Sequence, residues 1–521
     1  MADADLPRGL PRWPLVAAAV AALPSFFVPF LSDDWANLRT RARDLMGPTP
    51  FGAFRPVPQA SFVLDHALWG TWPLPWHLTN LVFVVASTAL VMALVQRHLG
   101  DRRLAALTGL LFALHPHRIV EVAWIAARGD AIAATFFFAA MLAYDRWRVR
   151  SLGLPFASLV LFEAALMSRE ATLSLPAVLL AIGWARDRRP PPRGEILRGL
   201  APLAAIVLLH FLWLRPLVLG PPGVALGAPA GGGFAVNLLR YAAVAIIPAR
   251  IDHFLDGPRL LFGIGALGAI AVAAAALLAA LLAGAARTRA GRVPPIAGWA
   301  CLIFVVLALP SLLWFPAWSF LLPGAASALA LAALLLATGR RAAVTIAGLL
   351  ALVWTAASID HWIGWRAASR ASAAIGSDLA AASRQPGVRT LVVANLPRRV
   401  RGMPVGMEYA AAIEALGGRP VAVEFVTYLD YPTSFADDLA GTPAEAVRPG
   451  PDGVSIDLLV PERLDSRNLI PGPADPGTTI EARYGTIHFL EPNHMRLTIP
   501  APAPGVATYV WQDGRLVALE P

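Results

Sequence analysis

Long apolar runs recur through the first 359 of 521 residues, and they constrain the fold more than any other feature of the chain. A helix needs about 20 mostly apolar residues to span a bilayer. Runs near 14–31, 78–95, 104–115, 131–144, 152–167, 171–185, 200–219, 260–284, 295–314, 321–338 and 342–358 read as crossings. Several are short, and Pro24, Pro176 and Pro310 interrupt three of them. Membrane helices tolerate such prolines where neighbours satisfy the freed backbone. The first run does not read as a cleaved signal, because Ser32-Asp33-Asp34-Trp35 follows it in place of a small-residue cleavage site. Charged residues are only 15% of the chain, well below the share in soluble domains. The expectation is a polytopic α-helical membrane protein of about 11 transmembrane helices.

All 43 basic residues are arginine, and the net charge is +9. A basic balance raises the question of nucleic acid, which its location answers. Residues 1–359 hold 29 Arg and 16 acids, whereas residues 360–521 hold 14 Arg and 18 acids. The clusters are Arg8/Arg12, Arg97/Arg102/Arg103, Arg146/Arg148/Arg150, 186–198, Arg287/Arg289/Arg292 and Arg340/Arg341. They fall on alternate loops if the N-terminus is cytoplasmic, which puts the tail outside. The apolar segment 236–250 would break that alternation as a crossing, so it reads as a re-entrant or interfacial helix. The positive excess is a topology signal, and no nucleic-acid partner is expected. Cys301 is the single cysteine, which excludes an internal disulfide framework; it reads as a buried small hydrophobe.

The tail changes character. We divide the chain into a membrane domain at 1–359, a linker at 360–374 and an extracytoplasmic soluble domain at 375–521. Strands are expected at 389–395, 420–426, 454–460, 479–484, 486–490, 495–499 and 507–511, with a helix at 406–416. Gln512-Asp513-Gly514-Arg515 is an Asp-Gly hairpin signal. The pattern predicts a small α/β-plus-β domain.

Ionisable groups beside membrane helices are functional candidates by default. They gather on the expected outer side in four places. Asp33 and Asp34 follow the first crossing, where a carboxylate can act as a general base, or where the pair is a solvated helix cap for the segment with Arg39, Arg41 and Arg43. Arg55-Pro56-Val57 precedes Asp65, Trp69 and Trp72; the tryptophans suit an interfacial belt. Between His115 and Asp130, a helix continuing past Pro116 would put His117, Glu121, Trp124 and Arg128 on one face, aimed at a cavity. The same stripe could pack against outer loops. His115, His117 and Glu121 do not form a specific zinc pattern, so no metal site is assigned. Ser168-Arg169-Glu170 forms a turn whose guanidinium suits a lipid phosphate or a simple pair with its neighbour.

In this order, the clusters resemble the polyprenyl-phosphate-sugar-dependent glycosyltransferases of the GT-C superfamily. They are most similar to bacterial relatives of the tetratricopeptide-linked O-mannosyltransferase family. The matching elements are Asp33-Asp34, Arg55-Pro56-Val57, 65–70, His77-Leu78-Thr79-Asn80, the long 115–130 loop and Ser168-Arg169-Glu170. The resemblance covers about 14–185 and fades through 200–358. Two departures stand out: Arg169 replaces the family's usual lysine, and Leu313-Trp314-Phe315-Pro316 lacks an expected arginine. No tetratricopeptide repeats follow.

The resemblance implies a GT-C-like fold in a bacterial inner membrane. It implies an inverting transferase that moves a sugar from a polyprenyl-phosphate donor to an acceptor hydroxyl on the extracytoplasmic side. Asp33 or Asp34 would take the acceptor proton, with Asp33 favoured. Arg169 and Arg128 would hold the donor phosphate. Arg55, His115, His117, Glu121, Trp124, Asp130 and Glu170 would bind or orient substrate. No cofactor beyond the lipid-linked donor is implied, and a divalent metal is left undecided. The acceptor stays open among protein, lipid and glycan. A lipid-linked-glycan transporter or flippase, or a non-catalytic membrane assembly or sensor protein, would use the same outer cavity without making a glycosidic bond.

Overall fold

The structure is a computed structural model that describes residues 10–49, 53–150, 153–187, 189–219, 238, 241–242, 244–246, 293–309, 320–400, 403–406, 408–430, 444–450, 453–459, 477–491, 494–501, 503–512 and 514–519. The crossing expected at 260–284 lies outside these residues, as does most of 236–250. Each of the other expected crossings falls on helix over most of its described length. Helix α1 (Trp13–Ala22) leads into a 3-10 turn, and the short α2 (Asp33–Asn37) follows. Next come α3 (Pro56–Trp69), α4 (Pro73–Leu99), α5 (Arg102–Leu114) and α6 (Ile119–Ala123). Then follow α7 (Arg128–Arg150), α8 (Phe156–Leu166), α9 (Leu175–Asp187) and α10 (Arg193–Leu219). The later helices are α11 (Val293–Ala308), α12 (Leu321–Ala337) and α13 (Arg340–Ser383).

Local chemistry sets several of these boundaries. Proline opens α3 and α4, where its missing N–H would be unpaired in any case. Gly100 closes α4 at φ 69°. Asp101 then caps α5 by accepting from the N–H groups of Arg103 and Leu104 at 2.8 and 3.0 Å. Among the described residues, Pro73–Leu99, Ile125–Val149, Arg193–Leu219 and Arg340–Ser383 are long and apolar enough to cross a membrane. On α10, Leu208, Leu212, Trp213 and Leu217 are exposed, which suits lipid contact. Cys301 corrects the expectation of burial: it is exposed on α11. A helix in lipid can be apolar on its outward faces too.

The expected linker is part of a longer element. Residues 360–374 are helical, and α13 runs unbroken for 44 residues from an apolar half into the tail. Alanine-rich sequence without proline favours that continuity.

Beyond α13 the tail forms two sheets. The first contains β1 (Thr390–Val400), β2 (Met403–Pro404) and β3 (Ala422–Asp430), with α14 (Tyr409–Ala415) connecting β2 to β3. In it β1 lies parallel to β3 and to β9 (Val506–Gln512), and β10 (Arg515–Ala518) closes the far edge. The hairpin register pairs Gln512 with Arg515 across the Asp-Gly turn. The second sheet is antiparallel, in the order β4 (Ala444–Gly450), β5 (Gly453–Leu459), β8 (His494–Pro500), β7 (Gly485–Glu491) and β6 (Thr479–Ala482). Asn395 locks β1 to β9, accepting from Trp511 N at 2.7 Å and donating to Trp511 O at 2.9 Å.

The core is not divided at residue 359. One apolar cluster unites α4, α5, α7, α8, α9 and α12. Another joins Val28, Leu31, Ile119 and Val120 to α13, β1 and the tail sheets. The loops between the first helices therefore pack directly on the C-terminal domain.

Candidate functional site

The two carboxylates after α1 are held differently. Ser32 has φ 50° and is the one non-glycine residue with positive φ among the described residues. That conformation costs an L-residue of order 1–3 kcal/mol, and such strain collects at functional turns. Asp34 is fully buried; its carboxylate accepts from Ala126 N at 2.7 Å and from Leu31 N at 3.2 Å. It is a clamp between two loops. Burial lifts its pKa well above the usual carboxylate range, against the two N–H bonds. Asp33 is only half-buried and accepts from Ser32 Oγ at 3.2 Å. Burial pushes its pKa up to about 6, with the Ser32 bond opposing and the nearby Glu408 adding to the rise.

Arg128 lies elsewhere than expected. It is 0% exposed, and it pairs with Asp65 at 2.6 Å. It also donates to Asn80 Oδ1, to Trp76 O at 2.8 Å and to Ser61 Oγ at 3.2 Å, with Phe62 and Trp76 against its face. Asp65 accepts in turn from Thr79 Oγ1 at 3.0 Å. Buried and bound in this way, Arg128 ties α3, α4 and α7 together and has no face open to a ligand.

The 117–128 face also dissolves. After Pro116 the chain makes a 3-10 turn, then α6, and then Trp124 is extended at φ −105° and ψ 108°. A further 3-10 turn leads into α7. His77 and Asn80 on α4 hold this broken path from below. The two His77 ring nitrogens lie 2.6 and 2.8 Å from Val122 O and Val28 O, and Asn80 donates to Glu121 O at 2.8 Å. These loop carbonyls find partners on α4 in place of a continuous helical ladder.

Glu121 and Arg118 form a buried pair at 2.9 Å. Arg118 also donates to Val84 O and Ser87 Oγ, and it sits over Phe112. Burial pushes the Glu121 carboxyl up to about 8, although Arg118 pulls it down. His115 packs between Phe320 and Trp354, with Val244 O 3.1 Å from its Nε2. The His117 and His361 rings lie 5.3 Å apart, and Trp124 lies against Trp365. His115, His117, Glu121 and Trp124 thus form packed ground behind the loop. Among the described residues no group of three or more His, Cys, Asp or Glu is placed to hold a metal.

Four other predicted residues do converge. Arg55 meets Glu170 at 2.9 Å, and Arg169 meets Asp130 at 3.0 Å. Burial pushes Glu170 up, but Arg55 and Arg169 hold it below the usual range. The Arg55 and Glu170 side chains keep 28% and 24% exposure, so this end of the cluster is reachable. The segment 126–130 links it to the acidic loop: Ala126 N binds Asp34, and Asp130 binds Arg169. Gly129 sits between them, where a Cβ would lie 3.4 Å from Ser168 O. Sequence reasoning marked Asp65 and Asn80 only as motif letters, because their partner Arg128 is far along the chain.

The fold and site describe a membrane protein whose loops between helices build an acid–arginine cluster. No family model matches the chain. Part of it is 34% identical over 115 residues to protein O-mannosyl-transferase TMTC2 of Mus musculus, covering 22% of this chain and 13% of the relative. It is 31% identical over 124 residues to protein O-mannosyl-transferase Tmtc1 of Drosophila melanogaster, covering 24% and 14%. Against TMTC3 of Mus musculus it is 26% identical over 205 residues, covering 36% and 22%. The chain spans less than a quarter of the length of these relatives. The resemblance carried by the motifs is thus matched by direct similarity to named O-mannosyl-transferases. The crystal structure of ArnT from Cupriavidus metallidurans bound to undecaprenyl phosphate aligns at TM-score 0.42 and 14% identity, over 82% of this chain and 87% of that one.

Proposed function

We propose that this protein is an inverting membrane glycosyltransferase. It moves a sugar from a polyprenyl-phosphate donor to an acceptor hydroxyl at the outer face of a bacterial inner membrane. The N-terminus is cytoplasmic and the C-terminal domain extracytoplasmic. The observation that carries the reading is the 126–130 segment, which holds the Asp33-Asp34 loop at one end and Arg169 at the other.

The acceptor oxygen attacks the anomeric carbon on the face opposite the phosphate. The sugar–phosphate C–O bond breaks as the new C–O bond forms, through an oxocarbenium-like transition state. Asp33, the more exposed carboxylate, takes the acceptor proton. Arg169 and Arg55 neutralise the departing phosphate, and Asp130 and Glu170 set the direction of their guanidinium forks. Arg128 keeps a scaffold role and contacts no phosphate. The relatives' names make mannose and a protein hydroxyl the first donor sugar and acceptor to try.

The test is transfer of labelled sugar from a polyprenyl-phosphate donor by membranes containing the protein. Asp33→Asn is expected to lower transfer by roughly 10²–10⁴, the usual reach of a general base. Full transfer by Asp33→Asn would remove Asp33 from that role.

A further inference from the structure

The tail reaches the acidic loop itself. Ser32 N donates to Val405 O at 3.0 Å, which brings the chain leading into α14 alongside Asp33. Tyr409 folds back over Gly406, where a Cβ would lie 2.1 Å from the phenol oxygen, so this close turn requires glycine. Other contacts hold the same junction. Arg39 pairs with Glu414 at 2.8 Å and donates to Ala410 O at 3.0 Å. Trp35 Nε1 donates to Ser372 Oγ on α13 at 3.1 Å. Trp35 and Leu38 share an apolar cluster with Ala411, Ala412 and Trp76. Hydrogen bonds, an ion pair and a common core agree on one docked arrangement.

Among the described residues, several charged groups stand near Asp33 and most are committed elsewhere. Asp34 is on its own helix, and Arg128 stands behind Asp34, committed to Asp65. On α14, Glu414 is occupied by Arg39. On α13, Asp378 accepts from Leu516 N. Glu408 stands at the start of α14, three residues after Val405, and its charge adds to the burial that raises Asp33. We propose that the C-terminal domain supplies one wall of the site, with Glu408 as a positioning carboxylate that keeps Asp33 ready to accept a proton. The physical basis is that a negative charge close to Asp33 disfavours its ionised form, so Asp33 holds a proton more readily. The role in transfer rests on the reading of Asp33 as the base.

The experiment follows Asp33 directly in the purified full chain. A carbodiimide labels protonated carboxyl groups, and mass spectrometry of the Asp33 peptide across pH gives the midpoint of its labelling. In Glu408→Gln the midpoint is expected to shift to lower pH. Glu408→Asp should stay near the parent, and Glu424→Gln, a change at a surface carboxylate paired with Arg483, should match it. An unchanged midpoint in folded Glu408→Gln overturns the proposal. If that variant does not fold, Glu408→Ala takes its place under the same criterion. Labelling needs neither donor nor acceptor. A shifted midpoint in protein that transfers no sugar would therefore support the carboxylate coupling and count against the transferase reading.

Discussion

Ser32 shows how much one residue can reveal. Its positive φ turns the chain so that Asp34 points inward to two N–H groups while Asp33 stays half-open. Ser32→Gly is expected to relieve about 1 kcal/mol of strain and raise thermal stability, while transfer falls because Asp33 loses a donor and a fixed direction. Asp33 carries a pH signature. Its folded pKa near 6 exceeds the ordinary 3.8, so its contribution to stability is complete below that ordinary value and is lost as pH rises through about 6. Asp33→Asn should therefore melt above the parent at pH 7, with the gap closing in acid, and calorimetry in detergent across pH checks it. Transfer by the parent should fall as pH drops through about 6. Arg128 behaves in the opposite way. Arg128→Ala strands buried Asp65 and should cost about 3–5 kcal/mol, read as loss of monodisperse protein in detergent. Arg169→Lys keeps the positive charge but loses the fork, so it should retain more transfer than Arg169→Ala.

At the scale of elements, legibility followed periodicity. Apolar runs announced the helices, and short alternating runs announced β5 to β9, with an Asp-Gly turn marked after β9. Two kinds of feature escaped. The 117–128 stripe had helical spacing, but the helix broke where Trp124 turned extended and the loop's carbonyls bound α4 side chains. Spacing cannot see such partners, which arrive from about 40 residues upstream. The continuity of α13 also escaped, because a charge shift at 359 resembled a domain boundary while the backbone stayed helical. That helix now makes a prediction. Two alanines inserted after Ala357 rotate its C-terminal half by about 200° and advance it about 3 Å. The Trp35–Ser372 bond and the docking of α14 cannot survive that rotation together, so transfer should collapse even if the protein still inserts. Transfer at the parent rate would mean that the tail and the site are independent.

For the whole molecule, the sequence reads the arginine excess as a topology signal, and the structure gathers Arg55, Asp130, Arg169 and Glu170 in one mixed cluster. The four convergent residues Arg55, Asp130, Arg169 and Glu170 were named from sequence, since each is a charge beside a membrane helix with no cheap place to hide. Arg128 was named for the same reason, and its concealment was not legible because it depends on Asp65 and Asn80 folding around it. Glu408 had no signal of its own, since only the docked tail brings it to the loop. On the proposed function, this assembly forms a glycosidic bond with Asp33 as the base. The most direct measurement reconstitutes the purified chain in liposomes with a labelled polyprenyl-phosphate mannose and a hydroxyl-bearing peptide acceptor, then resolves the products by mass spectrometry. Mannosylated peptide of inverted anomeric configuration is expected from the parent protein, and almost none from Asp33→Asn. Labelled lipid that crosses the bilayer intact with no new bond, or equal product from both proteins, would contradict it.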